Sequence, residues 1–219
     1  SAALDAYRRE ISAYPSSGTL YSRYRAGLSS GLLENNSLKV QLLEPATAAS
    51  SSTPYYSESL YELGRAYVAT GERDKARSVF NTLSQTSKDP SMEARALLEL
   101  GMIERNSGRS DEALAYYKKV VETSPELADD ALLAIESIYR TREDPDAYLD
   151  YVNSLSGTAV RTEAQKEDVY FSSAEQIYLS GDSAKAQAVL ESSLEKYPEG
   201  ASRTKALYYL ADCNRLQGS

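Results

Sequence analysis

The stretch LLELGMIERNSGRSDEALAYYKKVVETSP, Leu97 to Pro125, decides how the chain folds. Leu97, Leu100, Gly101 and Glu104 recur three and four residues apart, so they share one face of a helix. Three of the four are apolar or small; Glu104 is the exception. Gly108 then stops the helix, where a left-handed backbone is needed. Ser110 and Asp111 follow as N-cap and first-turn residues, and Glu112 completes an acidic helix start. The second helix carries Ala113, Tyr117 and Val120 on one face and ends at Pro125. Gly101 and Ala113 are small and are expected where the two helices cross. Each helix alone is too short to be stable in water, so the pair must bury its stripes against further copies.

Those copies can be read along the chain. Gly27, Gly64 and Gly101 stand 37 residues apart, a period that signals a solenoid of repeats. Ala3, Tyr7 and Pro15 repeat the offsets of Ala113, Tyr117 and Pro125, so residues 1–15 read as a second helix without its partner. Residues 20–54 form a degenerate copy, in which Lys39 stands where a crossing alanine is expected. ATAASSSTP (46–54) reads as a ragged helix end or loop, with a short linker as the alternative. Good copies follow at 57–90 and 94–125.

The copy at 128–156 keeps Ala131, Ala134, Ile138, Ala147 and Tyr151. There Ile135 replaces the small crossing residue and Arg142 the turn glycine, with Asp144-Pro145 opening the next helix. Thr158 to Lys166 reads as a polar connection. The copy at 167–198 carries Tyr170, Ala174, Ile177, Gly181, Ala186, Leu190 and Pro198. Residues 204–218 read as a further first helix with Leu207, Leu210 and Ala211 on its face. The whole chain, 1–219, is thus expected to be one array of eleven or twelve helices, cut from a longer one because both ends fall inside repeats.

Composition narrows the function. No run approaches the length of a membrane span, so no direct membrane insertion is expected. The net charge is −8, which argues against nucleic acid as partner. There is no histidine, removing the commonest general base and metal ligand. Cys213 is alone, without a partner for a disulfide or a thiolate cluster. The adjacent carboxylates Asp129-Asp130, Glu143-Asp144 and Glu167-Asp168 fit helix starts and turns and lack the ligand spacing of a calcium loop. No catalytic, cofactor-binding or metal-binding residue is therefore expected, and the protein is read as a non-enzyme. The chain has 18 Tyr against 2 Phe and no Trp, which suits helix interfaces whose hydroxyls reach the edge.

On these residues the chain resembles the tetratricopeptide repeat (TPR) family, whose pattern has a small residue at position 8, Tyr or similar at 11, Ala at 20, an aromatic at 24 and Pro at 32. Gly64/Tyr67/Ala76/Phe80 and Gly101/Ala113/Tyr117/Pro125 match closely, Ala174/Ala186/Leu190/Pro198 a little less. Glu104 departs at position 11, and the family's position-4 Trp is absent. EKYPEGASRTKALYYLADC (195–213) is similar to TPR proteins of the Gram-negative periplasm, of the Tol–Pal coordinator and outer-membrane assembly lipoprotein type. The resemblance implies an all-α, right-handed α-α superhelix, a TPR solenoid of about five to six hairpins. It also implies a periplasmic or outer-membrane-associated address, with the cytoplasm as alternative.

It further implies a concave groove lined by positions 2, 5, 9 and 12 of the first helices. Position 5 is Tyr24, Tyr61, Leu98, Leu132, Phe171 and Tyr208, an apolar and aromatic ladder that is either exposed or half-buried between first helices. Beside it stand Arg65, Met102 and Arg105, then Glu136, Tyr139, Glu175, Tyr178 and Asp212, basic in one half and acidic in the other. The family's carboxylate clamp is missing, since Tyr61, Arg65 and Glu99 occupy its places. The expected function is a non-enzymatic scaffold that binds a protein, peptide or partner helix in the groove. The alternative is a structural spacer or self-associating segment of a larger cell-envelope protein.

Overall fold

Among the described residues, 2–14 and 20–218 of a computed structural model, the chain forms twelve α-helices and no strand. The ending role expected of Pro15 lies outside the described residues. Two compact units divide the chain, Ser1–Leu127 and Ala128–Ser219. The first holds α1 (Ala2–Ala13), α2 (Leu20–Gly31), α3 (Asn36–Leu43), α4 (Tyr56–Ala69), α5 (Arg73–Thr86), α6 (Pro90–Asn106) and α7 (Ser110–Thr123). The second holds α8 (Ala128–Thr141), α9 (Pro145–Asn153), α10 (Glu163–Ser180), α11 (Ser183–Lys196) and α12 (Arg203–Gln217). Short 3-10 turns follow α3 at Glu44–Ala48 and α9 at Gly157–Ala159. No described helix is long and apolar enough to cross a membrane.

Every hairpin turns on one left-handed residue placed two before the second helix begins. Gly71 (φ 83°), Gly108 (φ 77°) and Gly181 (φ 93°) do this before α5, α7 and α11. Glu34 (φ 57°) and Glu143 (φ 54°) do it before α3 and α9. The degenerate copy thus keeps the turn, with Glu143 rather than Arg142 in the glycine's place. An L-residue in this conformation costs about 1–2 kcal/mol, part of which glycine gives back through its larger unfolded-state entropy. Glu34→Gly is therefore expected to stabilise unit 1 by about 0.5–1 kcal/mol, read as a higher midpoint in urea unfolding at unchanged slope.

The crossings rest on a glycine under a large side chain sixteen residues later. A Cβ on Gly27, Gly64 or Gly101 would lie 2.8 Å from Leu43, 2.6 Å from Phe80 or 2.5 Å from Tyr117. Phe80 and Tyr117 are buried there, each worth about 2–3 kcal/mol of apolar burial. Ala76, Ala113 and Ala186 are fully buried, as the repeat pattern requires.

Local departures have physical causes. The N-cap before α7 is Arg109, not Ser110, and its side chain makes no cap. Helix α10 begins at Glu163, inside the stretch expected to be a polar connection, because Thr162 and Gln165 form a reciprocal capping box. In α9 the buried residues are Pro145, Tyr148, Leu149 and Val152, while Ala147 and Tyr151 are only half-buried. In α12 the buried residues are Ala206 and Cys213, which join Phe171, Ala174, Ile177, Ala186 and Leu190 in one core. Leu207 and Ala211, expected inside, are exposed.

Two acidic residues hold the repeats together from within. Glu104, the misfit in the opening stretch, is 4% exposed. It accepts Arg77 Nε at 2.7 Å and pairs with Arg109 Nε. Burial disfavours its charge, but the two guanidiniums outweigh that and hold the carboxyl below its ordinary range. In α4 the same repeat position is Tyr67, whose hydroxyl donates to Glu44 at 3.0 Å. Glu167 lies within α10, buried, rather than at a helix start. Its carboxylate accepts the backbone N–H of Ala201 at 3.0 Å and of Ser202 at 2.7 Å. Gly200 lets that loop close over it, since a Cβ there would overlap the carboxylate. Lys39 is also buried and pairs with Glu62, which explains how a charge occupies an alanine's place.

Candidate partner-binding face

In unit 1 three helices present the same stripe, displaced by 37 residues. Spacing of three, four and three residues keeps Tyr21, Tyr24, Leu28 and Gly31 together on α2. The same spacing aligns Glu58, Tyr61, Arg65 and Val68 on α4, and Arg95, Leu98, Met102 and Arg105 on α6. None of these residues is buried. Tyr24, Tyr61 and Leu98 are half-buried at the helix borders, with Arg65, Met102 and Arg105 exposed beside them.

The aromatic rungs are fixed by their neighbours. Tyr24 stacks on Tyr55 with ring centroids 5.6 Å apart and planes 22° apart. Tyr55 itself is left-handed, with φ 63°. The Tyr61 ring meets the edge of Phe80 at 6.0 Å and carries the Arg65 guanidinium 6.0 Å from its centroid. Its hydroxyl donates to Glu99 Oε1 at 3.2 Å. Burial, then the Glu99 charge, pushes the Tyr61 phenol up. Burial likewise raises the Glu99 carboxyl, against the pull of the Tyr61 hydroxyl and Arg65. Next to this face Leu28, Gly31, Leu32, Lys39, Glu62 and Arg65 line an open pocket of about 540 Å³.

Unit 2 differs. Leu132 is 0% and Phe171 5% exposed, so these two rungs of the expected ladder belong to the interior. Phe171 stacks on Tyr209 at 6.3 Å, and Tyr178 lies 4.6 Å from the same ring. Tyr208, at 68% exposure, stands out from the surface. Glu136 and Tyr139 are half-buried, and burial pushes the Glu136 carboxyl up. Glu175 accepts the Tyr209 hydroxyl at 2.8 Å, and Tyr178 donates to Asp212 at 2.7 Å. That bond pushes the Tyr178 phenol up to about 12. Glu175 and Asp212 thus serve unit 2's own tyrosines and Glu136 pairs with Arg140, and the accessible, coherent face is that of unit 1. Tyr209, the hub of this packing, escaped the repeat reading because α12 is turned by one residue from the assumed register. Arg95, absent from the expected lining, is recoverable by subtracting ten from Arg105 along the stripe.

Comparison with known proteins agrees with the geometry. Residues 61–128 match the tetratricopeptide repeat family. The crystal structure of MamA is 19% identical, with a TM-score of 0.59 over 75% of this chain and 86% of that one. A tetratricopeptide repeat protein from Parabacteroides merdae is 12% identical, with a TM-score of 0.55 over 98% of this chain and 74% of its own. At these identities the likeness is one of fold: an all-α solenoid of TPR type. A search of curated protein sequences finds no match. Proteins built of such repeats generally mediate protein–protein interactions.

Proposed function

We propose that this protein is a non-enzymatic scaffold that binds an extended peptide or partner helix on the inner face of unit 1. The observation that carries this reading is the 37-residue recurrence of accessible side chains on α2, α4 and α6. A surface that repeats in step with its helices can follow a ligand along several repeats, each rung adding an anchor. Tyr24, Tyr61, Leu98 and Met102 supply apolar contact, with Arg65 and Arg105 as flanking charges. In unit 2, Glu136, Tyr139, Tyr178 and Tyr208 offer a separate, secondary surface.

The test uses the intact chain and peptides selected from a displayed random library. Tyr61→Ala with Leu98→Ala is expected to weaken binding about tenfold or more while leaving the helical signal unchanged. Unchanged affinity in a folded double variant would sink the reading. A second reading, self-association, draws on the exposed apolar side chains of α12, Leu207, Tyr208 and Leu216. A molar mass that rises with concentration in light scattering would support it.

A further inference from the structure

Resting on the peptide-binding reading above, we infer that the ligand of the unit 1 face is an acidic segment, one whose internal Asp or Glu side chains alternate with apolar anchors. The carrying observation is three guanidiniums without a counter-ion. Arg65, Arg95 and Arg105 are exposed, and none takes part in an ion pair among the described residues. Several other basic side chains of unit 1 are ion-paired: Arg77 and Arg109 with Glu104, Lys39 with Glu62, Lys75 with Glu72, and Lys119 with Glu93. In a chain of net charge −8, three unpaired arginines on two adjacent stripes amount to a local reversal of sign.

Geometry restricts what those arginines can recognise. Arg95 and Arg105 flank Leu98 and Met102 on α6, and Arg65 lies against Tyr61 on α4, so cations and apolar rungs alternate. The nearest carboxylates make no direct ion pair with them, although the Glu99 charge interacts with Arg65. Glu62 is paired with Lys39, and Glu99 accepts the Tyr61 hydroxyl. Glu58, half-buried at one end of the α4 stripe, limits the basic zone on that side. A guanidinium presents a planar fork that takes a carboxylate through two parallel hydrogen bonds, which a lysine cannot do. Nucleic acid fits less well. The Tyr61 ring has Arg65 over one face and Phe80 packed at a steep angle beside it, so that face is not an open platform for a base. On unit 2 the position of Arg65 is taken by Glu136, Glu175 and Asp212, so the assignment is to unit 1 alone.

The experiment selects random dodecapeptides, displayed on phage with their C-termini fused, on the intact immobilised chain. Enriched sequences are expected to be acidic and to contain Leu, Phe, Tyr or Trp. Their synthetic, C-terminally amidated forms should bind about tenfold more weakly when Asp and Glu become Asn and Gln, and should weaken steeply between about 50 and 300 mM salt. Arg65→Gln/Arg95→Gln/Arg105→Gln should lose the same factor without losing helicity, and the lysine versions should recover only part of it. Enrichment of neutral or basic peptides that still need Tyr61 and Leu98 would overturn the acidic assignment and keep the peptide-binding reading. Displacement of the peptides by oligothymidine, with equal loss in the arginine variant, would move the face to nucleic acid and overturn it too. If no peptide is enriched, both readings fall.

Discussion

Gly101→Ala is expected to destabilise the protein by about 3 kcal/mol, a fall in Tm of roughly 6–12 °C for a domain of this size. The added Cβ would sit 2.5 Å from the Tyr117 ring, where no rotamer of a buried tyrosine can retreat without moving α7 away from α6. The protein already shows the compensation. In α10 the equivalent residue is Ala174, and sixteen residues on stands Leu190 rather than an aromatic; both are fully buried. Gly101→Ala combined with Tyr117→Leu should therefore cost clearly less than the sum of the two single changes. Strict additivity in a double-mutant cycle from urea unfolding would show that the ring and the glycine are not coupled.

Glu104→Ala is expected to cost about 2–3 kcal/mol at neutral pH, below the range for a wholly buried pair because Arg77 and Arg109 retain solvent contact. The carboxylate side chain is 6% exposed, whereas the two arginines are 29% and 41% exposed. Arg77 also keeps Asp74 at 2.9 Å, which softens its loss. The folded carboxyl titrates below its unfolded value, so its contribution is complete above an unfolded pKa of about 4.3 and is lost as pH falls through the lower folded value. The gap between wild type and Glu104→Gln should accordingly be widest near pH 7 and narrow below about pH 4. A gap that stays constant across this range would mean that charge is not what the site uses.

Much of the fold was legible because the repeat writes the same physical demand several times. Gly71, Gly108 and Gly181 announce their turns, and the 37-residue step announces the crossings. Glu143 could not be recognised as a left-handed residue, because nothing but chain geometry forces a glutamate into that conformation. Helix periodicity says which residues share a face, but not which of two mixed faces turns inward. That is why α9 buries Tyr148 where Tyr151 was expected, and why α12 exposes Leu207 and Ala211. The ladder divided for the same reason. Position 5 lies on the border of the buried arc, so Tyr24, Tyr61 and Leu98 stay accessible while a slightly different packing submerges Leu132 and Phe171. Glu104 defeated local reading because Arg77 lies 27 residues upstream, in the preceding repeat.

The constant two-residue step from left-handed residue to second helix has a consequence for how such a chain can change length. Within a hairpin an inserted residue would turn the second helix by about 100° and carry its apolar stripe out of register. Between hairpins no such constraint operates: the connectors run from 87–89, at their shortest, to 44–55. Duplication, shuffling and grafting of modules should therefore succeed when the cuts fall in those connectors. Cuts at Glu34, Gly71, Gly108, Glu143 or Gly181 would split the smallest heritable piece of the architecture.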